Sequence, residues 1–169
     1  MNWLDIVLFL VIGVAALTEM SRGFGRAALD ALGLYGALWV ANALSIPLAA
    51  SVHLDPHPAI NHCVSYSVLF LAFGAFALAI SRFVYGVTML HTGMFDGMLG
   101  LVAGLAVGMM MAHGIARTVA MSDETGENAR VVTESFLGNE MLSFTTYHSV
   151  LDTLSGLTAP RHTIPDVNS

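Results

Sequence analysis

Lysine is absent from this chain of 169 residues, and its only cationic side chains are Arg22, Arg26, Arg82, Arg117, Arg130 and Arg161. So few cations offer little to a phosphate backbone, which excludes nucleic acid as a partner. Cysteine occurs once, at Cys63, so no internal disulfide can form and a thiolate metal cage is ruled out. Charged residues make up 11% of the chain, against the usual quarter of a soluble domain. No nucleophile elbow, P-loop, HExxH or dinucleotide-binding fingerprint occurs. The sequence therefore predicts no enzyme activity of its own, no cofactor, no catalytic residue and no metal ligand.

What the chain has in place of charge is apolar length. It is 56% hydrophobic with a mean hydropathy of +0.72. From Gly97 to Ala116, 20 consecutive residues carry no formal charge. That is about the length of helix needed to cross a bilayer core of roughly 30 Å. Gly93, Gly97, Gly100, Gly104 and Gly108 fall on one narrow stripe of such a helix. In water each glycine would weaken a helix by about 1 kcal/mol relative to alanine. In lipid the backbone has no other hydrogen-bonding partner, so the helix holds and the stripe becomes a packing seam for a neighbouring helix.

Three further apolar stretches precede this one. The first has an uncharged core from Ile6 to Thr18, 13 residues, too short to span alone, so Asp5 or Glu19 must sit at the hydrocarbon edge. Asp5 and Glu19 share a helical face, Arg22 is placed to pair with Glu19, and Trp3 suits the interfacial belt. The start lacks the basic region of a secretory signal and is expected to be retained. The turn R-G-F-G-R, with Gly23 and Gly25, permits a reversal into a second span from Ala27 to about Val52. There Asp30 lies one turn from Arg26, Gly33, Ala37 and Ala41 form a small-residue stripe, Pro47 marks a kink or an unravelling end, and Asn42 should bond to a neighbouring helix. A third stretch runs from Cys63 to about Leu90, with Phe70, Phe73 and Phe76 as bulk for the glycine face of the fourth span. Arg82, near its end, can snorkel or find Asp96.

The opening W-L-D-I-V, the R-G-F-x-R turn, and T-G-x-x-D-x-x-L-G-x-x-x-G entering the fourth span resemble, in that order, the colicin V production protein family. The similarity covers about Met1 to Met121. It implies a bacterial inner-membrane protein with four helices and a role in making a secreted peptide toxin; some relatives carry a protease domain after the membrane part. Ala27, Gly97 and Val107 stand where that family commonly has an acid, an arginine and a second arginine.

Between the second and third spans, His53, Asp55, His57 and His62 are metal-ligand types. Pro56 and Pro58 forbid the helix that would align His53 with His57, so a polar turn is expected, with a pH response as its alternative. The ten methionines, including Met109 to Met111, read as soft core filler rather than copper ligands. Beyond Met121 the chain carries seven acids and two arginines. We expect a soluble connector there, then one amphipathic helix through Leu137, Met141, Phe144, His148 and Leu151, capped by Asn139, stopped at Gly156, and followed by a disordered end.

The expected architecture is thus all-α and polytopic. Residues 1–121 form a four-helix transmembrane domain, and 122–169 an acidic extracytoplasmic tail. Glu19, Arg22, Arg26, Asp30, Arg82 and Asp96 are expected to cluster at the inner boundary. Arginine placement puts the first and third loops in the cytoplasm and both termini outside. The expected function is a non-enzymatic scaffold in the inner membrane, supporting toxin production, export or envelope homeostasis. Its partners would be the lipid bilayer, further copies of itself, and envelope or export proteins. The alternative is a small oligomeric transporter or channel, with Asp5, Glu19, Arg22, Arg26, Asp30 and Arg82 as its polar path.

Overall fold

The computed structural model describes residues 2–53, 55–88, 95–123 and 126–143. These residues form six helices: α1 (Trp3–Arg22), α2 (Phe24–Ser51), α3 (Pro58–Thr88), α4 (Asp96–Met121), α5 (Glu127–Glu134) and α6 (Phe136–Ser143). The first four are long and apolar enough to cross a membrane. Gly93, the turn at His91 to Gly93, and the tail from Phe144 through His148, Leu151 and Gly156 lie outside the described residues.

Local chemistry sets the helix ends. The Asn2 side chain accepts from the Leu4 and Asp5 N–H groups, and the Asp5 carboxylate accepts in return from the Asn2 N–H. This reciprocal box satisfies donors that a helix start leaves orphaned. Gly23 alone makes the reversal between α1 and α2, at φ +92, a conformation that L side chains rarely adopt. Gly25 lies inside α2. Pro47 also lies inside α2, which continues to Ser51. Pro58 opens α3, where its missing N–H costs nothing.

α1 packs along α4, α4 along α2, and α2 along α3, with a lesser contact of α3 on α4. Much of the buried set is small or polar, with Ala15, Ala16, Ala37, Ala41, Gly100 and Gly104 among it. The exposed set includes Phe9 at 72%, Leu32 at 70% and Phe83 at 75%. Water would reverse that distribution. In lipid the large apolar side chains lose nothing by facing outward, and small residues bring backbones together. The chain is a multi-pass membrane protein.

The tail departs from the expected single helix. α5 begins at Glu127, inside the supposed connector, and a break at Ser135 separates it from α6. Asn139 is not the cap; the Ser135 hydroxyl accepts from the Gly138 N–H and takes that role. Val132 and Met141 then join Leu4, Leu8, Ala112 and Ala116 in a packed cluster.

Candidate functional site

Connectivity gives the bundle two chemically different ends. One collects the C-termini of α1 and α3 and the N-termini of α2 and α4, and with them Arg22, Arg26 and Arg82. The other carries Asp5, the loop between α2 and α3, and the α5–α6 unit.

The α4 glycines position the arginine end. A Cβ built on Gly97 would lie 3.5 Å from the Met20 carbonyl oxygen, and one on Gly100 only 2.8 Å from that of Glu19. On Gly104 it would meet the Ala16 Cα at 2.9 Å, and on Gly108 the Ile12 Cα at 2.7 Å. The Gly97 distance is ordinary contact, but real Cβ atoms do not come as close as at Gly100, Gly104 and Gly108, so α1 occupies this face backbone against backbone. The phenylalanines of α3 therefore go elsewhere. Phe70 covers Gly114, while Phe73 and Phe76 flank a groove beside Gly33 and Gly36. Gly33 abuts Ala77 of α3, where an added Cβ would lie 2.9 Å from the alanine methyl.

This seam carries Glu19 inward, beside Gly104, where it is 3% exposed. Arg22 reaches its Oε1 at 2.6 Å, and Oε2 is buried without a partner. Asp30, 2% exposed, lies 3.9 Å from Arg26 Nε, near enough for Coulomb attraction but too far for a hydrogen bond. Its Oδ1 is also orphaned. Ala15 and Leu34 share one packed cluster with Val107. Glu19 and Asp30 each lie one turn from that cluster toward the arginine end, so they occupy the same level of the bundle. Asp96 accepts from the Phe24 N–H at 3.1 Å, a negative charge at the positive end of α2. Its carboxylate fills the place a Cβ on Gly23 would need. Arg82 is exposed and pairs with no acid among the described residues.

At the opposite end the Asp5 carboxylate, 2% exposed, accepts from the Ser135 hydroxyl at 2.6 Å and from the Leu137 N–H at 2.9 Å. The Asn2 amide donates to the Val131 carbonyl at 2.7 Å, and His113 Nδ1 meets the Met141 carbonyl at 2.6 Å. Sequence reasoning missed this clasp. Asn-x-x-Asp at the start of α1 has capping-box spacing, and Ser135 before an apolar turn is a cap signal, but nothing local says that the two helix starts meet. Arg117 meets an aromatic partner that no local spacing announces: its guanidinium sits 5.4 Å from the centroid of the buried Tyr66 ring.

The histidine loop does not gather its ligand types. His62 bonds to Ser45 of α2 at 3.1 Å, while His57 turns to Asp55, 3.1 Å from Nδ1 to Oδ1. Among the described residues no three histidine, cysteine or acidic side chains converge as for a metal. The His57 backbone N–H, at 2.8 Å, and after it the imidazole, hold the Asp55 carboxyl below its usual range. Asn42, expected to bond across helices, has its side-chain Oδ1 buried without a partner.

A family model described as colicin V production protein matches residues 4–146. No curated protein and no solved structure matches the chain.

Proposed function

This chain belongs to the colicin V production protein family, and from that premise we propose that it is a non-enzymatic scaffold of the bacterial inner membrane. It supports the production or export of a peptide toxin, or envelope homeostasis, by binding partner proteins and copies of itself. One observation carries the reading: α1 and α4 touch backbone to backbone along Gly100, Gly104 and Gly108, which leaves no room for a solute between them. What the bundle offers is its outer faces and the α5–α6 unit clasped to one end.

In this reading Arg22, Arg26 and Arg82 face the cytoplasm, and both termini and α5–α6 lie outside, in line with the bias of short cytoplasmic loops toward arginine. The loop at residues 52–57 has no basic residue but histidine, and Arg130, on α5, is paired with Glu134 at 3.1 Å. The test is crosslinking in native bacterial membranes followed by purification of the intact protein. A partner recovered in fixed ratio supports the scaffold. Recovery of self-copies alone, together with ion or solute flux in liposomes, would replace it with the transporter reading. That second reading draws on Glu19 and Asp30, which lie inside the bundle with unpartnered oxygens rather than at its rim.

A further inference from the structure

The groove between α2 and α3 carries charge at one end. It holds about 400 Å³, with Leu29, Gly33, Gly36 and Val40 of α2 on one wall and Phe73 and Phe76 of α3 on the other. The two helices touch where Gly33 abuts Ala77, and at Gly36 an added Cβ would meet nothing within 4 Å. Arg26, Leu29, Gly33, Gly36 and Val40 are spaced 3, 4, 3 and 4 apart. Arg26 therefore continues the groove wall by one turn toward the arginine end of the bundle.

Arg26 is 20% exposed at its side chain, and Asp30 stays 3.9 Å from its Nε. That Nε has no hydrogen-bond partner, and among the described residues none reaches the rest of the guanidinium either. A guanidinium offers five donors in a planar fork suited to two oxygens of one phosphate. Here the fork stands idle at the head of an apolar groove.

A groove that faces a bilayer is filled, because an empty one forfeits the dispersion contacts of its lining. From Leu29 to Val40 the wall rises about 16 Å, half of a hydrocarbon core of roughly 30 Å, so the groove spans one leaflet. About 400 Å³ over that length makes a channel roughly 5 Å wide, against about 10–12 Å for a helix with its side chains. An extended hydrocarbon chain fits it; a helix from a second copy does not.

We propose that this groove holds an anionic phospholipid of the leaflet on the arginine side. One acyl chain lies along Gly33 and Gly36, and the phosphate sits on Arg26. An anionic headgroup is favoured over a zwitterionic one, which would bring its own ammonium beside the guanidinium. Arg82 takes no part, since it lies about half a turn around α3 from Phe73 and Val84 of the groove.

The experiment titrates the full chain, delipidated in detergent, with phosphatidylglycerol or phosphatidylethanolamine under native mass spectrometry. The expected result is one phosphatidylglycerol retained per chain, with phosphatidylethanolamine held several-fold more weakly. Arg26→Gln should weaken retention by about tenfold, and Gly36→Leu, which fills the groove, should do the same. Arg82→Gln and Gly13→Leu, the latter at an open position on α1, should leave it unchanged. Every variant is scored only at an unaltered size-exclusion profile. Because Arg26→Gln leaves Asp30 buried alone, Arg26→Gln/Asp30→Asn is measured beside it and should lose the lipid equally. Equal retention of the two lipids would overturn the site, as would a loss in Arg82→Gln as large as in Arg26→Gln. So would wild-type retention in Gly36→Leu or in the double variant, or a dimer that Gly36→Leu abolishes in the absence of lipid.

Discussion

The Asp5 carboxylate and the Ser135 hydroxyl, 130 positions apart in the chain, meet at 2.6 Å in a buried contact. The same carboxylate closes the first turn of α1 and receives the first turn of α6, so one side chain caps two helices. Asp5→Ala leaves the Ser135 O–H and the Leu137 N–H without their acceptor, each bond to a charged group contributing about 1.5–3 kcal/mol. We expect α5 and α6 to detach while the four long helices stay folded. Hydrogen exchange should then rise across residues 127–143 and remain slow in α4; unchanged protection of α6 would show that its apolar contacts suffice.

The glycine seam predicts a sharp contrast within α4. Gly104→Ala forces a methyl to within 2.9 Å of the Ala16 Cα and should cost about 1–3 kcal/mol. Gly104→Leu should prevent the bundle from closing. Val102, 64% exposed, should accept leucine within about 0.5 kcal/mol. Thermal unfolding of each variant in one detergent makes the comparison, and similar midpoints would contradict the seam.

The Glu19–Arg22 pair predicts an asymmetry. Arg22 is 40% exposed at its side chain and Glu19 4%. Removing Arg22 strands a buried carboxylate, at a cost of about 3–5 kcal/mol. After Glu19→Ala, in contrast, Arg22 can extend to the headgroups. Arg22→Ala should therefore lower the amount of folded protein more than Glu19→Ala, and the double variant should recover part of the loss. A double variant as poor as the sum of the singles would mean the two charges are not coupled.

The Asp55 turn should respond to acid. Because its folded pKa is depressed, chiefly by the His57 backbone N–H, its contribution is fully present above the ordinary carboxyl range. That contribution is lost as pH falls through the lowered value. Amide protection at His57 should hold at neutral pH and vanish only in that acidic window, and Asp55→Asn should remove the dependence.

Orientation is open to a direct measurement. Reporter fusions after Ser122 should be active outside the cytoplasm and silent within it; the reverse pattern would invert the assignment of Arg22, Arg26 and Arg82.

The sequence by itself determined the four long helices and the solvent they require. Absence of lysine, apolar runs of spanning length and glycines at helical spacing all act through local geometry and partition, which need no knowledge of neighbours. The pairs Glu19–Arg22 and Arg26–Asp30 were readable for the same reason, since a helix brings residues three and four apart together. Tertiary structure decided which helix fills which face. The glycine stripe asks only for a close neighbour, and α1 rather than the phenylalanines of α3 met that demand, because backbone fits against backbone where a ring does not. It also decided that Asp5 should meet Ser135, that Asp96 should sit on Gly23 and Phe24 rather than on Arg82, and that Met141 should come to His113. Those meetings join residues 28 to 130 positions apart, and no periodicity within one segment encodes a contact made only when two segments are packed.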